Sequence, residues 1–223
     1  MSEYEREPIP GLPEVPPSGE RILWQGAPSW RALARRAFHV RKVAVYFALL
    51  VVGSAVADIA GGVALTSALM NAAWLIALAA SAIGLFLLLA WTQSRATMYT
   101  VTSRRVVIRF GVALPMTMNI PFSQISSAAL RRHADGTGDI PLALASARRV
   151  SYLVLWPHVR PWHFGRVQPM LRAIADAGQV ADRLACALAD AAASETRGLQ
   201  VYGDAGVRAD VAPPAQAPLA HAS

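Results

Sequence analysis

Hydrophobic and polar positions along this 223-residue chain fall into three regimes. The first has no alternation at all. Residues 43–94 hold no Lys or Arg, and Asp58 is the sole formal charge among them. A helix crosses a bilayer core with about 20 apolar residues, and the block offers two such runs, 43–65 and 72–92. The link between them, residues 66–71, is too short for a domain, so the two runs predict an antiparallel transmembrane hairpin.

The second regime is β-like. Residues 20–26 read as a short strand ended by Gly26. Beyond the hairpin, short runs rich in β-branched and aromatic residues recur at 97–102, 105–110, 116–122, 125–132, 140–145 and 150–156. Asp135-Gly136-Thr137-Gly138-Asp139 is a strong turn signal between two of them. Seven short strands at this spacing predict an antiparallel sandwich or barrel. The third regime has helical spacing. Pro169 suits a first helical turn, and Met170, Leu171, Ile174, Val180, Leu184 and Leu188 recur on one face to about Ala193. A shorter helix, from Trp30 to about Val40, carries Trp30, Leu33, Ala37 and Phe38 between basic residues, as an interfacial helix does.

Composition sharpens this picture. The chain is 54% hydrophobic and 16% charged, against roughly 25% charged in soluble domains. That excludes a wholly disordered chain. One cysteine, Cys186, excludes an internal disulfide and any multi-cysteine metal site. The net charge of +7 arises from 20 Arg and one Lys. Arg31, Arg35, Arg36, Arg41 and Lys42 precede the hairpin, Arg95, Arg104, Arg105 and Arg109 follow it, and the link carries no charge. The positive-inside rule then puts both termini in the cytoplasm. The acidic, Pro-rich segment 1–19, with Glu3, Glu5, Glu7 and Glu14, predicts a disordered arm and no signal peptide. The Ala-, Pro- and Gly-rich segment 195–223 predicts a disordered tail. The domains are thus expected at 20–42 (strand and basic helix), 43–94 (hairpin) and 95–194 (β domain with its C-terminal helix).

Inside the hairpin, Gly53, Ala57 and Gly61, and Ala73, Ala77 and Ser81, repeat every four residues, a spacing that lets helix backbones approach. Asp58 lies toward the far end of the first run, where meeting water explains it better than a role in transport. Neither run contains a His that could hold a pigment, and His39 precedes the first one. No P-loop, nucleophile elbow or zinc motif is present. His158 and His163 stand five apart without a third ligand nearby. No enzyme activity, metal or cofactor is therefore expected, and nucleic acid is a poorer partner than an anionic lipid surface. Membrane-surface candidates are Trp30, Arg31, Arg35, Arg36, Arg104, Arg105 and Arg109. Trp156, Arg160, Trp162, Phe164 and Arg166 form an aromatic and basic cluster of the kind found at binding hot spots, and are the partner-binding candidates.

Several segments resemble known ones. Glu20-Arg21-Ile22-Leu23-Trp24-Gln25-Gly26 resembles the opening of bacterial PH-like domains, and Tyr99-Thr100-Val101-Thr102-Ser103-Arg104-Arg105 resembles their Y-x-(L/V)-T-x-x-R hairpin. Ile120-Pro121-Phe122-Ser123-Gln124-Ile125 and Gly136-Thr137-Gly138-Asp139-Ile140 are similar to later segments. The resemblance implies an α+β membrane protein: a two-helix hairpin plus a cytoplasmic PH-like seven-stranded β-barrel capped by a C-terminal helix. Leu155-Trp156-Pro157-His158-Val159-Arg160-Pro161-Trp162 and Gln168-Pro169-Met170-Leu171-Arg172 narrow it to the PuhB family of photosynthetic complex assembly proteins in purple bacteria. That resemblance implies a non-catalytic scaffold in the inner (cytoplasmic or intracytoplasmic) membrane. Its partners would be reaction-centre or antenna subunits, other assembly factors, or a second copy of the chain. A general bacterial PH-like envelope or stress-related interaction module is the alternative.

Overall fold

The structure, a computed structural model, describes residues 12, 16–145, 151–163, 165 and 167–210, with 195–210 as backbone alone. Two helices dominate one end: α2 (Val40–Ala60) and α3 (Leu65–Ala96), both long and apolar enough to cross a membrane. The spans are shifted from 43–65 and 72–92, and the link is 61–64 rather than 66–71. Gly61 and Gly62 end α2, Gly62 with a left-handed φ of 66°. At the far lip, Asn71 Nδ2 donates to Asp58 Oδ2 at 3.3 Å. Where the two helices pack on each other, Ser54 and Ala55 of α2 and Ala72, Ala79 and Ala82 of α3 are half-buried. Gly53, Ala57, Ala73, Ala77 and Ser81 face outward, so the four-residue repeats are not the seam.

The two helices are unequal. α2 has 21 residues and α3 has 32, so at ~1.5 Å per residue α3 is longer by about 16 Å. The surplus forms a stalk below the membrane end of α2. Against it packs α1 (Trp30–Arg36), through Leu33, Ala34 and Phe38 on Ala90 and Phe86. Helix α1 stops at Arg36 instead of running to Val40, because His39 takes a left-handed φ of 54° and turns the chain into α2. Ser94 Oγ donates to the Pro28 carbonyl at 2.8 Å and fixes the start of α1 to the stalk. One extended residue, Thr97, separates α3 from the next strand.

The rest is an antiparallel β domain. Strands β1 (Ile22–Gly26), β2 (Met98–Thr102), β3 (Arg105–Phe110) and β4 (Met116–Pro121) form one sheet in chain order. Strands β5 (Ile125–Ala128), β6 (Arg131–Arg132), β7 (Thr137–Leu144) and β8 (Met170–Ala175) form the second, with β5, β6 and β8 all pairing β7. Among the described residues the count is eight rather than seven, and no ladder closes the two sheets into one barrel. Tyr99, Val101, Val106, Ile108, Ile140, Leu142, Leu171 and Ile174 fill the space between the sheets. Helix α5 (Ala177–Asp210) covers the open side with Ala177, Val180, Leu184 and Ala187.

Three expectations fail here for identifiable reasons. Residues 170–175 are strand, not the start of the helix. Ala173 and Asp176 have left-handed φ of 55° and 53°, and the Asp139 carboxylate holds the Ala173 N–H at 2.8 Å, so a helix cannot begin before Ala177. Residues 152–155 form a single helical turn, α4 (Tyr152–Leu155), instead of a strand. Leu155, fully buried, plugs the core there. Helix α5 continues past Ala193 to Asp210; once its packed half is formed, each further residue adds one hydrogen bond at little cost. In the N-terminal arm, Leu12 is buried, so the arm is anchored at that point.

Candidate functional site

The partner-binding candidates lie between β7 and β8, at the foot of the hairpin. The segment after α4 folds back on the start of β8 through a bridge between Val159 and Pro169. Arg160 N–H donates to the Gln168 carbonyl and Met170 N–H to the His158 carbonyl, both at 3.0 Å. Arg160 Nη1 also donates to Gln168 Oε1 at 3.0 Å. These bonds close the base of a loop that thrusts Trp162 into solvent at 85% exposure, with a left-handed φ of 63°. Leu153, on α4 nine residues earlier, is 83% exposed. Trp156 is half-exposed and packs edge-on against Phe38, with centroids 5.2 Å apart. Phe38 in turn touches Phe86 of α3 at 6.3 Å. The loop is therefore seated against the membrane helices, not at the far pole of the β domain. Phe164 and Arg166 lie outside the described residues.

The membrane-surface candidates separate into two groups. Trp30 is partly exposed, with the Arg31 guanidinium 5.4 Å from its ring centroid. Arg35 and Arg36 turn toward the β domain, where both pair with Asp135 at 3.5 and 2.5 Å. Arg36, then Thr137, hold the Asp135 carboxyl well below its ordinary range. The second group lies elsewhere. Arg104 is exposed at the β2–β3 turn, a strand's length or about 17 Å from Thr97. Arg105 forks onto Glu20 at 2.9 and 3.0 Å. Burial pushes the Glu20 carboxyl up, but the Arg105 and Thr102 bonds outweigh it and hold it below the usual value. Arg109 is buried, opposite Met98 and Thr117 in the ladders, and is no surface group.

A buried polar chain behind the loop escaped the sequence reading. His158 is fully buried, with Nε2 3.0 Å from Thr97 Oγ1 and Nδ1 2.7 Å from Tyr99 Oη. Tyr99 Oη also accepts the Arg172 N–H at 3.2 Å. The Arg172 side chain is buried and donates to the carbonyls of Pro157 and Arg36 at 2.9 and 3.2 Å. Burial, then the Arg172 charge, pushes the His158 imidazole down to about 3. His158 is thus a neutral link with both ring nitrogens engaged. His163 points elsewhere, its Nδ1–H donating to the Pro161 carbonyl, so the two histidines do not converge. Only the Trp-Pro-His run hinted at this chain; nothing in spacing connected it to Tyr99 or Arg172.

The chain can now be compared with known proteins. A family model described as Bacterial PH domain matches residues 46–187. An uncharacterized 23.7 kDa protein in the puhA 5′ region of Rhodobacter capsulatus is 43% identical over 183 residues, 80% of this chain and 84% of that protein. No solved structure matches.

Proposed function

Since the chain belongs to the bacterial PH domain family, we propose that it is a non-catalytic membrane scaffold for assembling the photosynthetic reaction centre and its surrounding antenna. One observation carries this reading: the relative that shares most of its length is named for its place beside puhA, a reaction-centre gene. The geometry supports a holding role over chemistry. The buried His158 and Tyr99 of the β domain are spent on internal bonds. What the protein presents instead is apolar and aromatic: Leu153 and Trp162 stand out at the hairpin foot. Trp-centred patches are where binding energy concentrates. Helices of a partner would meet the hairpin while its polar segments meet this loop.

In this reading both helices span the inner membrane, and the β domain and both termini are cytoplasmic. The charges flanking the hairpin support that orientation. Reporter fusions at residue 15 and residue 205 are expected to give cytoplasmic signals; a periplasmic signal from either overturns the orientation.

The loop is tested by Trp162→Ala together with Leu153→Ala. Both side chains are exposed, so folding is expected to survive. Reaction-centre levels in photosynthetically growing cells should fall several-fold, and reaction-centre subunits should no longer co-purify. The variant itself should accumulate in membranes at the normal level. Unchanged assembly with this variant, or no reaction-centre or antenna subunit among the purified partners of the native chain, would sink the scaffold reading.

A further inference from the structure

Beside the loop lies a groove of about 810 Å³, bounded by α1, the first turn of α2, β6 and the turn at 160–163. Its walls carry Arg35, Arg36, Lys42, Arg131, Arg160 and Arg172. Two carboxylates face them. Asp135 is held by Arg36 and Arg35, and Asp139 by His133 and the Ala173 N–H. Six fixed cations against two engaged carboxylates leave a strong positive excess. Arg172 adds to it: its guanidinium is buried, donates only to carbonyls, and leaves Nε without a hydrogen-bond partner. The nearby Asp139 carboxylate compensates that charge only in part, being already held by His133 and the Ala173 N–H, and a buried cation so placed favours a further anion alongside it.

Position and lining decide which anion. Lys42 belongs to the first turn of α2, so the groove opens at the level where that helix enters the bilayer. Leu130, Pro141, Met170 and Trp162 supply an apolar wall next to the cations. Trp162, 85% exposed, stands at the rim, the placement of an interfacial aromatic. A free phosphate would use the cations and leave the apolar wall wet. A phospholipid uses both, since its phosphate and its glycerol ester region lie at one height. We propose that this groove binds the headgroup phosphate of an anionic phospholipid from the adjoining leaflet. The site is separate from the basic β2–β3 turn and needs no reaction-centre partner.

The test uses the full chain in a neutral detergent, titrated with short-chain phosphatidylglycerol, phosphatidylcholine of the same chain length, inorganic phosphate and a poly-glutamate peptide. Binding is read by native mass spectrometry and by the rise in melting temperature. Phosphatidylglycerol should bind one to one and saturably, at least tenfold tighter than phosphatidylcholine, with no saturable effect of phosphate. Arg35→Gln/Lys42→Gln/Arg131→Gln, all exposed positions, should lose at least tenfold in affinity at an unchanged unliganded melting temperature. Arg21→Gln/Arg132→Gln/Arg183→Gln, at exposed positions outside the groove, removes equal charge and should bind as the native chain does. Equal binding of the two lipids, or equal loss in both triple variants, overturns the site. Saturable binding of phosphate alone makes it a small-anion site, and saturable binding of poly-glutamate alone makes it a protein-docking surface; either ends the lipid assignment. The groove variant also separates the two readings, because lost lipid with normal reaction-centre levels leaves the scaffold role untouched.

Discussion

Tyr99→Phe is expected to destabilise the β domain by about 2–5 kcal/mol, from one oxygen atom. That oxygen is fully buried and makes two bonds, one with His158 Nδ1 at 2.7 Å and one accepting the Arg172 N–H at 3.2 Å. Burial pushes the phenol well above its ordinary pKa, so the O–H stays available as a donor. Its removal orphans two buried groups, the His158 Nδ1 and the Arg172 N–H, and each such orphan costs about 1–3 kcal/mol. Unfolding of the purified chain in detergent should show a melting temperature lower by on the order of 10 °C or more. Tyr46→Phe, on the exposed face of α2, is the matched control and should shift it negligibly. A Tyr99→Phe shift as small as the control's would mean that the polar chain carries no stability.

The second large effect is with pH. His158 has a folded pKa pushed down to about 3 by burial, then by the Arg172 charge, against roughly 6.5 in the unfolded chain. Between those values the unfolded state binds the proton and the folded state does not. Stability is therefore fully present above about pH 6.5 and drains away as pH falls. At pH 5 the loss from this group alone is about 2 kcal/mol. The carboxylates held low, Glu20 and Asp135, contribute to acid sensitivity only further down, as pH approaches the ordinary carboxylate range. The comparison is therefore between pH 7 and pH 5, native chain against His158→Gln. The variant is less stable at both, but its difference between the two pH values should shrink by about 2 kcal/mol. A variant that keeps the native pH dependence would show that another group controls it.

How far the fold was legible follows from which signals are local. The hairpin was readable because a bilayer-length absence of charge has few other causes, although Gly61 and Gly62, not the polar Thr66 and Ser67, proved to be the turn. Strands β2 and β3 were readable to within a residue, since Thr100, Val101, Val106 and Val107 combine β-branching with a tight Ser-Arg turn. The stretch from Val150 to Ile174 was not. A short apolar run does not declare its period, and Pro169 suits a first helical turn as well as a strand edge. What decides it is distant: Asp139 gripping Ala173, and Leu155 filling the core. The candidate site was legible in its exposed members, Arg160 and Trp162. Arg109 and Arg105 were misjudged for the same reason, because sign of charge is visible in a sequence and a partner such as Glu20 is not.

The junctions between hairpin and β domain have a mechanical result. One helix enters through the bend at His39 and the other through Thr97 alone, and Ser94, Pro28 and Arg172 brace the space between. Among the described residues these joints are short and braced, so in the proposed orientation a lean of the hairpin in the bilayer would be carried on to the β domain. Membrane helices commonly lean by about 20°, and for a domain of about 13 Å radius that raises one rim and lowers the other by about 4 Å. Salt screens charge over roughly 8 Å. In the proposed orientation, half of that distance would bring the basic rim into the headgroup field or lift it clear, so the angle of the hairpin would set how strongly the membrane draws on the domain beneath it.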